Sequence, residues 1–201
     1  MVSRFLNARW FIWGLLFIPA IPMLADVIGA QFSEPVGRSI YHRLLHPSGE
    51  FAARFMIIAM MMTPLRMLFP KNRFLAWMMR RRRYFGVAAF GYAAAHTVFY
   101  ILDVGTLDKI LAELWETGIW TGWLAFAIFV PLAITSNDYC VRKLGRAWKI
   151  VQRWVYAAAV LSLVHWIFID RELEDALVNF LPLAGLEAYR IYRVRRRTIT
   201  A

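Results

Sequence analysis

The sequence predicts an all-α integral membrane protein: a six-helix transmembrane bundle with both termini cytoplasmic, forming a single domain over residues 1–201. Three observations carry this. The 201 residues are 60% hydrophobic and 16% aromatic. Several apolar stretches approach the roughly 20 residues that a helix needs to cross a ~30 Å hydrocarbon slab. The basic residues fall on alternate connecting segments, as retention of positive charge in the cytoplasm requires.

The spans follow in order. Residues 10–30 hold "FIWGLLFIPAIPML" behind a basic start. This could be read as a signal peptide, but its length and the lack of a small-x-small cleavage site favour a retained first span. Spans two to five are expected at 50–68, 84–103, 118–136 and 151–169. The sixth, 176–192, is short and carries Asn179, Pro182 and Glu187.

With six spans, one side receives Arg4 and Arg9, the segment from Arg66 through Arg80–Arg83, the segment from Arg142 to Arg153, and the basic tail from Arg190. Together these hold nineteen of the 24 lysines and arginines, whereas only Asp138 and Glu187 of the 13 acids lie there. A five-span chain would strand "RIYRVRRR" outside, against the positive-inside rule. The formal charge of +11 therefore implies anionic headgroups and not nucleic acid as the partner of these runs, with an acidic cytoplasmic protein as the other reading. Cys140 is the only cysteine, which excludes an internal disulfide and a thiolate metal cluster. The loops are too short for a soluble catalytic module, and no glycine-rich phosphate loop is present.

Histidines are the candidate functional groups. His96, in "FGYAAAHTVFY", and His165, in "AAAVLSLVHWIFID", lie on spans three and five, which run in the same direction. Each is 12 to 14 residues past its span's start, about 18–20 Å from the cytoplasmic boundary at 1.5 Å per residue. Two imidazoles at equal depth on parallel helices can supply both axial ligands to one haem iron. Gly91, Ala88, Ala89 and Ala93, with Ala157, Ala158 and Ser162, would let a flat ring approach the backbones. Small residues also mediate ordinary helix packing, and a lone intramembrane histidine can simply bond a neighbouring helix. The matched depth is what favours function. His42 and His46, four apart in "YHRLLHPSGEF" on the outer side, could hold a metal, serve a redox or quinone site, or be merely solvated. Phe99, Tyr100, Trp154 and Trp166 fit pocket filling and the interfacial belt better than electron relay.

Three segments, "HPSGEFAARFMIIAMMMTPLR" (46–66), "RRRRYFGVAAFGYAAAHTVFY" (80–100) and "TSNDYCVRKLGRAWKIVQRWVYAAAVLSLVHW" (135–166), together resemble the haem-binding membrane subunit of the periplasmic protein-methionine-sulfoxide reductase system. That subunit falls in the ferric-reductase-like transmembrane superfamily, which also includes the NADPH oxidases. The resemblance implies a cytochrome b of the bacterial inner membrane with His96 and His165 as axial ligands. It implies electrons arriving from a cytoplasmic flavoprotein or a membrane quinol, with FMN or quinone as a second cofactor, and leaving to a periplasmic molybdopterin reductase subunit. The family pattern has a further histidine 13 residues before the second ligand. Here that position is Gln152, and its counterpart 13 residues before His96 is Arg83. One haem b is therefore expected and a second is not supported. A membrane metal reductase with the same haem and a cofactor-free transporter are the rival readings; the transporter would need inverted halves and midplane charges, and neither is visible. No nucleophile–base pair or carboxylate dyad is evident, so any hard chemistry belongs to the cofactor and partner.

Overall fold

The structure, a computed structural model, describes residues 8–30, 39–170 and 173–199. Arg4, Arg38 and Arg171, which enter the charge count above, lie outside the described residues. All regular structure among the described residues is helical. The helices are α1 (Arg9–Phe17), α2 (Ala20–Ala30), α3 (Ile40–Leu68), α4 (Arg73–Val104), α5 (Leu107–Glu113), α6 (Thr117–Ile134), α7 (Asp138–Leu144), α8 (Arg146–Arg153), α9 (Val155–Asp170) and α10 (Leu173–Ile199).

Four stretches are long and apolar enough to cross a membrane: α3, α4, α6 and the nearly continuous α8–α9 run Arg146–Asp170. A fifth would be α1 with α2, a pair bent by 54°, where Pro19 and Pro22 interrupt the apolar run. Helix α10 lies where a sixth span is expected, but it is not apolar enough to count with the others. Glu174, Asp175 and Glu187 break its hydropathy. Outward-facing apolar side chains are numerous on these helices, among them Ile18, Val98, Leu124, Val160 and Leu181. A soluble domain would bury such rows, whereas acyl chains cover them without cost. The chain is a multi-pass membrane protein.

The helix ends follow local rules. Asn72 caps α4, its Oδ1 accepting from the amides of Phe74 and Leu75 at 2.9 and 3.1 Å. Gly105, with φ +77, closes α4 in the left-handed conformation that a side chain would resist. Asn137 caps α7 through the Cys140 amide at 2.8 Å.

Two features extend the sequence-based boundaries. Helix α3 begins at Ile40, so His42 and His46 lie on it, one turn apart. Helix α4 begins at Arg73, so Arg80–Arg83 are helical and not a loop. Arg81 is buried at 7% exposure, its guanidinium 4.2 Å from the Trp77 ring centroid. That member of the run packs inside the protein and does not sit among headgroups.

The centre is a bundle of two helix pairs, α3 against α4 and α6 against α9, each pair packed closely and the pairs meeting less extensively. Apolar burial does not drive association between helices already in lipid, so close packing must. Buried alanines serve this on all four helices: Ala52 and Ala53, Ala88 and Ala89, Ala125, and Ala158 and Ala159. Thus Ala88, Ala89 and Ala158 are packing residues, while Gly91 has no heavy atom near its Cβ direction. Of the small residues singled out beside the histidines, Ala93 and Ser162 line the space between the pairs. Polar bonds fasten the outer helices: Tyr92 Oη donates to the Leu16 carbonyl at 3.0 Å, and Arg54 Nε to Asn179 Oδ1 at 3.4 Å.

Candidate functional site

Between the two pairs lies a cavity of about 390 Å³, walled by α3, α4, α6 and α9 and within the size range of small-molecule sites. Four histidines line it, His42 and His46 from α3, His96 from α4 and His165 from α9, and the last two meet across the gap between the pairs. Their ring centroids are 5.9 Å apart and their planes stand at 88°. The pairing expected from equal depth is a contact in the folded chain.

Each ring is seated on the other helix of its own pair, and the two seats share one pattern. The His96 Nδ1 lies 2.9 Å from the Leu45 carbonyl oxygen of α3, and the His165 Nδ1 lies 2.6 Å from the Gly118 carbonyl oxygen of α6. A carbonyl only accepts, so both Nδ1 atoms carry hydrogen and both Nε2 atoms hold a free lone pair. Four residues after each carbonyl stands a glycine, Gly49 or Gly122, whose missing side chain makes room for the ring. A Cβ on Gly49 would lie 3.1 Å from the His96 ring, and one on Gly122 would lie 2.6 Å from His165 Nδ1. Immediately before each glycine is a buried hydroxyl. Ser48 Oγ reaches the Leu44 and Leu45 carbonyls at 2.6 and 2.9 Å, and Thr121 Oγ1 reaches those of Thr117 and Gly118 at 2.7 and 3.0 Å.

Sequence reasoning that follows spans three and five misses these six seat residues, because they sit on the partner helices. A signal is present in the dipeptides Ser48-Gly49 and Thr121-Gly122, each on the apolar helix that precedes a histidine helix of its pair.

One end of the cavity is polar. His46 lies 3.3 Å from both Glu50 of α3 and Asp170 of α9, and Glu50 also accepts from Arg54 at 3.0 Å. His42 pairs with Asp103 of α4 at 2.9 Å. No group of three histidine, cysteine or acidic side chains suited to a metal ion occurs among the described residues. Tyr100 and Trp166 line the cavity, and the buried Trp166 indole N–H has no acceptor among the described residues. Phe99 instead stacks on Tyr41 with centroids 6.3 Å apart, and Trp154 is 59% exposed.

Residues 48–163 match the ferric reductase like transmembrane component family. The chain belongs to that family. The match begins at the Ser48 seat and stops two residues short of His165. Proteins of Brucella ovis, Brucella canis and Brucella melitensis named protein-methionine-sulfoxide reductase heme-binding subunit MsrQ are each 34% identical to the chain over 198 residues, covering 94% of it and 86% of their own length. No solved structure matches the chain.

Arg83 and Gln152, the positions where inner ligands would fall, are not among the residues lining the cavity. Gln152 Nε2 donates to the Leu132 carbonyl at 3.1 Å and Thr135 Oγ1 at 3.0 Å, while Trp148 Nε1 donates to the Thr135 carbonyl at 2.9 Å. These side chains of α8 tie it to the end of α6, where the Leu132 carbonyl also accepts from Ser136 Oγ at 2.7 Å. Arg83 Nη1 donates to Asp138 Oδ1 at 2.5 Å, and this bond, with the charge of the guanidinium, holds the Asp138 carboxyl below the usual carboxylate range. A depressed folded-state pKa adds stability above the unfolded value, near 3.9, that is lost as pH falls through the folded one. Arg83→Ala should therefore raise the Asp138 pKa toward the ordinary value. Carboxyl chemical shifts followed through an acid titration would show it, and an unmoved midpoint would mean that the pair does not persist in solution.

Proposed function

We propose that the chain is a membrane cytochrome b that binds one haem between His96 and His165 and passes electrons outward to a methionine-sulfoxide reductase subunit. One observation carries this: two imidazoles with free Nε2 atoms face one cavity, each fixed by an Nδ1–H bond to a backbone carbonyl. Metal-bound histidines are held in this way, with the second nitrogen donating to a carbonyl that sets tautomer and ring direction. With metal–nitrogen bonds of about 2 Å, two rings flanking one ion have centroids about 6 Å apart, close to the 5.9 Å seen here. The orphaned Trp166 N–H on the cavity wall suits a ligand bearing acceptor oxygens. The residues fit the group.

Haem supplies, when bound, a one-electron carrier whose potential follows from its axial ligands and surroundings. The chain's residues do the rest. His96 and His165 present nitrogen at fixed spacing; Ala93, Phe126 and Phe129 keep the wall apolar; the His46–Glu50–Asp170 cluster lies between the cavity and the outer aqueous side. We read the topology as six crossings with both termini cytoplasmic, which sets the basic α7–α8 segment inside and the His46 mouth outside.

A second, inner haem finds no ligand, because Gln152 and Arg83 are engaged in structural bonds. Electrons would then reach the outer site from a quinol within the bilayer or from a bound flavin. The acceptor named for the relatives, with the molybdopterin centre that the family resemblance implies, would dock on the outer face. Counting haem per chain by pyridine haemochrome tests this: one is expected, two would overturn the single-haem reading, and none would remove haem binding altogether.

A further inference from the structure

Resting on that reading of the site, we propose that Thr121 is a positioning residue that sets the electron affinity of the site through the Gly118 carbonyl it shares with His165, and that Ser48 is a weaker counterpart at the Leu45 carbonyl. Both hydroxyls are essentially inaccessible, at 1% and 0% exposure, so no water substitutes for the bonds they make.

Within each helix the seat carbonyl is already engaged by the amide four residues on. The hydroxyl and the imidazole N–H then converge on the same oxygen. Donors that share one acceptor compete, since each draws electron density from the lone pairs the others use. The single Thr121 hydroxyl hydrogen is shared between the Thr117 oxygen at 2.7 Å and the Gly118 oxygen at 3.0 Å, and the share given to Gly118 weakens the acceptance of the His165 Nδ1–H, which lies 2.6 Å away. A weaker bond at Nδ1 makes Nε2 a less electron-rich ligand, which favours the reduced metal.

The two seats are not equal. Ser48 Oγ is 3.3 Å from His96 Nδ1 as well as 2.9 Å from the Leu45 oxygen. It competes for the carbonyl with its hydrogen and offers the imidazole an alternative acceptor with its lone pair. Its removal withdraws both effects, and they oppose each other. Thr121 has only the competing role.

The experiment is a potentiometric titration of the purified full-length chain in lipid nanodiscs, followed in the visible spectrum, with haem content and the ferric low-spin signal measured alongside. Thr121→Val, of nearly the same shape, should lower the equilibrium constant for reduction by roughly threefold or more while haem content and the low-spin signal stay as in the wild type. Thr121→Ser should restore the wild-type value, and Ser48→Ala should move it less than Thr121→Val. If Thr121→Val does not retain haem, Thr121→Ala is read in the same way. An unchanged or higher potential in a haem-loaded Thr121 variant overturns the inference alone. A wild-type chain that takes up no haem overturns the underlying reading as well.

Discussion

Alanine at either His96 or His165 should abolish the low-spin b-type difference spectrum of the purified chain. The expected effect is all-or-none because each ring is held by one carbonyl on one neighbouring helix, and no other histidine can take its place. His46 and His42 are engaged at the polar end of the cavity with Glu50, Asp170 and Asp103. Spectra of the two variants, expressed with haem supplied, provide the check. A low-spin spectrum surviving in His165→Ala would mean that another group ligates the metal, and the paired-seat geometry would no longer describe the site. Both variants should keep their helical content, because each removes a side chain facing a cavity and leaves the alanine-lined contacts of its pair intact.

The second large effect comes from a single added methyl. Gly122→Ala would put a Cβ 2.6 Å from His165 Nδ1 and 2.7 Å from its Cε1, a separation real Cβ atoms do not adopt. The ring must tilt away and give up its bond to Gly118, because all three opposing atoms belong to the His165 ring, which moves as one rigid body. Overpacking of this kind costs about 1–3 kcal/mol, and here the strain falls on the proposed ligand itself. Gly49→Ala meets His96 at 3.1 Å, where a shift of a few tenths of an ångström suffices. Gly122→Ala should therefore lose most of its haem and Gly49→Ala should retain it with a perturbed spectrum. Haem content per chain measures both. Equal retention in the two variants would show that the rings are not seated as described.

Much of this arrangement could be read from residue order. The apolar runs around Met56, Tyr92, Ala125 and Ala159 marked the four central helices because lipid demands continuous hydropathy. The meeting of His96 and His165 could be anticipated from a fixed rise per residue along two helices of the same direction. The seats could not be read in this way. Which face of α3 meets α4, and which face of α6 meets α9, is decided by packing among alanines and glycines that look alike in a string of letters. Helix α10 stands where the sixth span was expected, but its charges sit at both ends and at Glu187, so hydropathy alone does not separate a crossing helix from one lying against the bundle. Gln152 was legible as a departure from the family pattern, but its task of closing the end of α6 depends on a turn of chain between α7 and α8 that brings it back beneath that helix.

The order in which the seats occur along the chain bears on how the protein is made. Helices α3 and α4 are neighbours joined by a short turn, so the Leu45–Gly49 shelf and His96 meet as soon as the first central hairpin has left the ribosome and entered the bilayer. The Gly118–Gly122 shelf waits on α6, through the synthesis of α7 and α8, until α9 delivers His165. Between the insertion of α6 and that of α9, a nascent chain therefore holds one seated imidazole and one vacant shelf, and the proposed site closes only once α9 has delivered His165. Closure of the proposed site is thereby open only to chains whose two helix pairs have both assembled.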